Sequence, residues 1–569
     1  MKKILLLFCS MFLTQAKAQN IISIPDTLTG TSFSLNIYDT SRVFYNGYIT
    51  ETYGINRNYL GPTLMLNQGD SISLNVNNFL MDTTTIHWHG LHVSAKNDGG
   101  PHTTIAPNTV WNPKFKVRDH ASMYWYHPHL HMMTNLHASM GAAGLIIVRD
   151  TNERKLNLPR RYSVDDFPLV LQTKCFNASK QILIDNPYDS VPLVNGTVKG
   201  TLSVPAQVIR LRLLNASSER VLNLGLQGNM AFSQIGSDGG LLNTPVSMTR
   251  LKLSPGERAE ILLNLSANLG QSIDLISFAA ELPNANYGAA QAGMGPGQVI
   301  PGYSLNPLNG SNFKMMTFSV TAATPSPVIT IPSTLTLNSP WLPAQASVTR
   351  TLLFTAMNMG PGAINGPFLI NNSSFDMETV NYYVPFNNTE VWVLTNQTPI
   401  AHPFHIHDVQ FYVLDIGGAA PAPSLAGRKD VIQVPAGQTV RFIARFENFC
   451  DSTGYYMYHC HMLPHEDDGM MGQFAVVCPT STGLNDKNII SDNLEIYPNP
   501  AEEKIYLKQN RIQNRQRFTI KDISGKELIQ VSAFQNGITE IDIRQLQPGI
   551  YLLEISGDGK TLRKKFTVK

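Results

Sequence analysis

Three stretches of the 569-residue chain repeat one pattern. SISLNVNN (71–78), QVIRLRLLNAS (207–217) and TEVWVLTNQT (389–398) alternate apolar and polar residues and close on an asparagine. Each sits at a similar place in a block of roughly 150 residues, an ordinary domain size. A second echo follows in each block: IAPNTVWNPKFKV, LSPGERAEILLNL and VPAGQTVRFIARF, a proline turn leading into a strand. Alternation of period two between such turns marks strands with one buried face. The fold class expected is therefore all-β, with three tandem β-sandwiches at 19–152, 160–322 and 345–480. A Pro-rich linker, TPSPVITIPSTLTLNSPWLP, precedes the third, and the Gly/Ala-rich stretch 285–304 reads as a loop of the second. Hydrophobic residues at 43% supply the cores, and a formal net charge of only +2 gives no global attraction to nucleic acid or anionic membranes.

The two ends differ from the blocks. MKKILLLFCSMFLTQAKA (1–18) has the lysines, short apolar run and small-residue site of a signal peptide, too short to span a membrane. Cleavage after Ala18 removes Cys9, and no other run is long enough for a transmembrane helix. Residues 490–569 lack histidine and cysteine and contain short alternating strands such as KDISGKELIQ and LQPGIYLLEI, the pattern of a small β-sandwich. Among the remaining cysteines, Cys450 and Cys478 flank two strands that would meet as a hairpin, so a disulfide is expected at its open end. Cys175 reads as a core residue.

The repeat exposes an asymmetry: all 15 histidines lie within 87–137 and 402–465, and the second block has none. Four clusters stand out: His87-Trp88-His89, His127-Pro128-His129, His402-Pro403-Phe404-His405-Ile406-His407, and His459-Cys460-His461 with His465 and Met470. Residues two apart in a strand share a face. His459 and His461 then point one way and Cys460 the other, which implies two metal sites back to back across one strand. His402, Cys460, His465 and a weak Met470 form the ligand set of a blue-copper electron-transfer site. The remaining eight imidazoles (His87, His89, His127, His129, His405, His407, His459 and His461) suit three further coppers. His92, His102, His120, His131 and His137 lie outside the motifs and are expected as supporting or surface residues.

These motifs resemble those of the multicopper oxidases, the superfamily of laccases, bilirubin oxidases and cuprous oxidases, over about 25–480. The resemblance implies three cupredoxin-like Greek-key sandwiches and four copper ions. Type 1 copper would take His402, Cys460, His465 and Met470, and type 2 copper His87 and His405. The type 3 pair would take His89, His127 and His461 on one ion, and His129, His407 and His459 on the other. Cys460 would pass electrons through its bonded neighbours, and Asp98 and Glu466 would carry protons. The implied reaction couples one-electron oxidation of a reductant to four-electron reduction of O2 to water. Phenols and aromatic amines are the expected reductants, since Met357, Met359 and Met377 are scattered rather than gathered in a run. Cu(I), Fe(II) or Mn(II) is the alternative, and a copper nitrite reductase or a non-catalytic copper protein is disfavoured by the paired His motifs. The tail resembles a type IX secretion sorting domain, implying that machinery as a partner and export through the periplasm of a Gram-negative bacterium to the surface or medium.

Overall fold

The structure is a computed structural model. It describes residues 20–478, apart from 185–188, 296, 299, 358–363 and 365, and residues 494–569, apart from 510–515, 523–524, 534–537 and 558–559. The expected signal peptide and Met359 lie outside the described residues. The chain divides into two compact units, Met1–Cys478 and Pro479–Lys569.

The larger unit holds three two-sheet sandwiches, and the repeated strands are their common framework. Ser71–Asn78, Val208–Asn215 and Asn388–Asn396 each pair in parallel with an earlier strand: Ser32–Tyr45, Asp166–Phe176 and Val348–Ala356 respectively. The proline-turn strands pair with them antiparallel, as Lys114–Lys116, Arg258–Asn264 and Thr439–Phe446.

The recurrent asparagine has a structural cause. Asn78 Nδ2 donates to the Asp82 and Ile105 carbonyls, while its Oδ1 accepts the Leu80 N–H. Asn215 donates to the Arg220 and Leu253 carbonyls and accepts from Ser217. Asn396 donates to the Ile400 and Val434 carbonyls and accepts from Thr398. One amide thus satisfies three buried backbone groups where the strand leaves its sheet, a demand no apolar residue meets.

The facing sheets position the histidines. In the first sandwich, Ser122–His127 lies between Gly144–Arg149 and His87–His89, with Tyr126 opposite Trp88 and His127 opposite His87. In the third, Tyr456–Cys460 lies between Met471–Val477 and His402–Ile406, with Tyr458 opposite Ile406 and His459 opposite His405. Trp88 and Tyr126 join the first core, and Ile406, Tyr458 and Cys460 the third. The intervening histidines are thereby turned outward, toward the seam between these two sandwiches.

Some connections depart from the block plan. The Asn20–Ile21 strand pairs with Gly200 and Thr201, in the second sandwich. The described residues of 285–304 form turns, bends and the start of a short helix at Tyr303–Leu305, and Tyr287, Ala292, Ile300 and Tyr303 pack in the third core. Ala285 also accepts the Ala401 N–H at 2.8 Å. Cys450 and Cys478 form the hairpin disulfide. Cys175, expected in the core, is only partly buried near the end of its strand. The smaller unit carries a three-stranded and a four-stranded sheet over a core that includes Ile505, Leu507, Phe518, Leu553 and Phe566. Among the described residues, no helix is long and apolar enough to cross a membrane.

Candidate metal centre

Side chains separated by hundreds of residues converge at the seam. His87, His405 and His407 form one group with donor atoms within 4.8 Å of one another. His89, His127 and His461 form a second, and His129, His407 and His459 a third. All eight of these rings are buried. The tightest approaches are His129 Nε2 to His459 Nε2 at 3.1 Å and His89 Nδ1 to His127 Nε2 at 3.3 Å.

Six of the eight rings are hydrogen-bonded from behind, and a seventh, His129, lies beside a carboxylate. His87 Nδ1 lies 3.0 Å from the Asp98 carbonyl, and His407 Nδ1 2.8 Å from Asp98 Oδ2. His405 Nδ1 meets the Asp430 carbonyl at 2.8 Å, and His89 Nε2 meets Asp430 Oδ1 at 3.1 Å. His127 and His459 each use Nδ1 on a main-chain carbonyl, of Pro128 and Cys460. Glu466 sits between two rings, 3.3 Å from His129 Nδ1 and 3.1 Å from His459 Nδ1. With one nitrogen anchored, the other faces inward, and Nε2 of His87, His405 and His407 has no protein partner. That arrangement fixes the tautomer and ring plane of metal-binding imidazoles.

The fourth group lies on the opposite face of the Tyr456–Cys460 strand. Cys460 Sγ is 3.5 Å from His402 Nδ1 and 3.7 Å from His465 Nδ1, and it accepts the Met462 N–H at 3.5 Å. Thr398 Oγ1 holds His402 Nε2 at 2.8 Å, and the Phe368 ring packs on both imidazoles. His465 comes from the short helix Leu463–Asp467, which has Pro464 in its first turn and follows the end of the cysteine strand. Met470 is fully buried in the same core as Cys460, its N–H bonded to the His465 carbonyl and its carbonyl to the Cys460 N–H.

Electrostatics favours metal over protons. Burial, reinforced by neighbouring imidazoles, pushes His89, His127, His129, His405, His407 and His461 well below the ordinary histidine range. Burial lowers His465 to about 3. These rings stay neutral and keep their lone pairs available. Burial also pushes the Cys460 thiol up, so its thiolate needs a cation beside it. A buried set of neutral imidazoles with one thiol and one thioether suits copper.

The sequence-predicted site residues all take part in, or pack beside, these groups. None of the five other histidines belongs to a metal-competent group among the described residues. His92 pairs with Asp119 at 2.6 Å, His102 with Gln473 at 2.7 Å and His137 with Thr84 at 3.0 Å. His131 packs on Phe375, and the His120 side chain is 46% exposed. Sequence reading missed Asp430 and Thr398, neither of which lies within a histidine motif.

Two family models for multicopper oxidase match residues 38–153 and 344–478. The multicopper oxidase of Staphylococcus haemolyticus is 34% identical over 456 residues, 78% of this chain and 88% of that protein. The chain belongs to the multicopper oxidases. It is an oxidoreductase of copper-dependent type, and its sandwiches are cupredoxin-like. Solved relatives include a laccase-like enzyme from Ochrobactrum sp. (30% identity, TM-score 0.70, 80% of this chain and 100% of that one). Another is from Aquifex aeolicus (28%, 0.71, 81% and 100%). Cell division protein FtsP of Proteus mirabilis is also similar, 29% identical over 75% of this chain and 85% of that protein. A model for a secretion-system C-terminal sorting domain matches residues 495–569, which points to export and the cell surface.

Proposed function

We propose that this multicopper oxidase binds four copper ions and couples oxidation of small aromatic reductants, phenols or aromatic amines, to reduction of O2 to water. The observation that carries the reading is the convergence of four separate donor groups on two faces of one strand. His402, Cys460 and His465, with Met470 from the same core, would hold the type 1 ion. His87 and His405 would hold the type 2 ion. His89, His127 and His461, and His129, His407 and His459, would hold the type 3 pair.

Bound copper supplies one-electron redox chemistry on the sulfur side and O2 reduction on the imidazole side. The protein supplies the rest. Cys460 is bonded in sequence to His459 and His461, so a covalent path joins the two faces. Asp98 is fully buried, 2.8 Å from His407 Nδ1 and 3.4 Å from His87 Nδ1. It is placed to hold a proton beside the type 2 and type 3 ligands. Glu466, between His129 and His459, does so on the opposite side.

His465 is the ligand nearest the outside. Its Nε2 lies 4.0 Å from Glu219 Oε1, and Ser218, Glu219 and Pro464 line a depression there. A carboxylate at that edge accepts a phenol or aniline proton as the electron leaves. The Ochrobactrum relative, described as active on lignin model compounds and lignosulfonate, supports this choice. The second reading, a Cu(I), Fe(II) or Mn(II) oxidase, is favoured by the same depression, since Asp189 joins Glu219 in lining it. The sorting domain would address the chain to type IX secretion from the periplasm, and a tail-deleted chain retained there would support that route.

The test is copper analysis of reconstituted protein with O2 consumption on a phenol, Cu(I) and Fe(II). Four coppers and fastest turnover on the phenol are expected. Turnover confined to metal ions would replace the substrate assignment, and far fewer than four coppers would remove the site assignment.

A further inference from the structure

Among the described residues, the second sandwich contributes no donor to any of the metal groups, yet one of its turns reaches the seam. The repeated proline turn at 255–258 leads into the Arg258–Asn264 strand. Arg258, 1% exposed, donates Nη1 to Asp430 Oδ1 at 2.6 Å and Nη2 to Asp430 Oδ2 at 2.5 Å. The same Asp430 Oδ1 lies 3.1 Å from His89 Nε2, so the guanidinium fork fixes the carboxylate that fixes the ring. Two residues earlier, Gly256 has φ +83° and lies flat against His461: a Cβ there would stand 2.9 Å from the ring. Neither nitrogen of His461 has a hydrogen-bond partner on another residue, so packing against its neighbours helps set its plane. His89 and His461 belong to one donor group, completed by His127.

The turn is itself anchored. The Arg258 N–H donates to Asp238 Oδ1 at 2.8 Å. Lys429, the neighbour of Asp430, meets Asp238 at 2.9 Å and Glu257 at 3.0 Å. A buried lattice of three carboxylates and two cations therefore ties the turn to the third sandwich and, through His89, to the first.

We propose that the turn at 255–258 is the positioning element for one ion of the type 3 pair, orienting two of its three imidazoles: His89 through Arg258 and Asp430, and His461 through Gly256. Arg258 and Gly256 are positioning residues, since they act through other groups. The inference rests on the ligand assignment proposed above, and its test separates the two.

Reconstituted wild-type protein, R258Q and G256A are compared by copper content, retention of copper during titration with a chelator, and the paramagnetic resonance and near-ultraviolet absorption of the coupled pair. The blue absorption of the Cys460 site and the thermal midpoint serve as controls for folding. Substitutions behind a metal ligand cost roughly 10- to 100-fold in metal affinity or activity. R258Q and G256A are expected to lose cluster copper that much more readily and to show an altered coupled-pair signature, with the blue absorption retained. A lower midpoint with unchanged copper retention and signature would mean that the turn is merely structural and would overturn the proposal. If R258Q lacks blue absorption and is misfolded, R258K decides: it keeps the charge but not the fork, and behaviour identical to wild type overturns the proposal. Wild-type protein without cluster copper would instead sink the ligand assignment and this inference with it.

Discussion

At matching places in the three sandwiches, the first carries His87 and His89 around Trp88, the third His405 and His407 around Ile406, and the second Asn223 and Gly225 around Leu224. The central residue is buried in its own core each time. It also faces an equivalent partner strand, with Trp88 opposite Tyr126, Ile406 opposite Tyr458 and Leu224 opposite Ser277. The flanking positions point away from the core and are not fixed by it. In the second sandwich, Asn223 spends its amide on the Phe278 carbonyl at 3.1 Å. A strand whose inward face is apolar forms whatever its outward face carries, so metal chemistry could be written onto the first and third sandwiches and left off the second without changing the plan.

The sharpest way to break this comparison is at the sulfur. C460S keeps size and burial but offers a poor copper donor. It is expected to abolish blue absorption and turnover together while the sheets, followed by circular dichroism, persist. Retained turnover would mean that the two faces are not coupled through this strand. Next in size, D98N and E466Q should each lower kcat by about 10²- to 10⁴-fold with blue absorption intact, the usual contribution of a proton-transfer group. Normal kcat in both would return these carboxylates to a purely architectural role.

Acid should separate the outer sandwiches from the second. His89, His127, His129, His405, His407, His461 and His465 titrate lower in the folded chain than in the unfolded one. Between the two values the unfolded state binds more protons, so metal-free protein loses stability as pH falls below about 6.5. The loss from His465 continues down to about pH 3. Each withheld proton costs roughly 1.4 kcal/mol per pH unit, so several rings together cost several kcal/mol or more. The expected observation is a thermal midpoint that falls steeply with acid in the metal-free form, and a parallel fall from a higher midpoint with copper bound, because the rings carry no proton in either folded form. A metal-free midpoint that does not fall as pH drops below about 6.5 would contradict neutral buried rings. Smallest in functional reach is L224A beside I406A. Each should cost about 2–5 kcal/mol by emptying a core, but only I406A should also lower copper content, because it displaces His405 and His407.

The sequence carried the donor motifs clearly because each is encoded locally, while their grouping into sites came from the family resemblance. His-x-His in a strand fixes two rings on one face, and the single residue between His459 and His461 fixes the sulfur on the other. The sandwiches were legible from the alternation and from Asn78, Asn215 and Asn396, whose bonds are mostly short-range. The disulfide followed from the hairpin joining Tyr456–Cys460 to Met471–Val477. What escaped was long-range. Asp430 lies 341 residues from His89 and looks like any acid in a polar turn. The stretch 285–304 has no strand pattern to announce that Tyr287 and Tyr303 complete a neighbour's core. Asn20–Ile21 is too short for alternation to assign it to a sheet.

The bond across the seam from the Leu463–Asp467 helix has a mechanical consequence. Asp467 accepts the Thr134 and Asn135 N–H groups, each at 2.9 Å, beside rings contributed from both sides. Once ions are gripped jointly by the two lobes, hinge-like opening would require breaking several coordination bonds at once. On the copper assignment proposed above, oxygen and water would therefore have to pass without the first and third sandwiches separating.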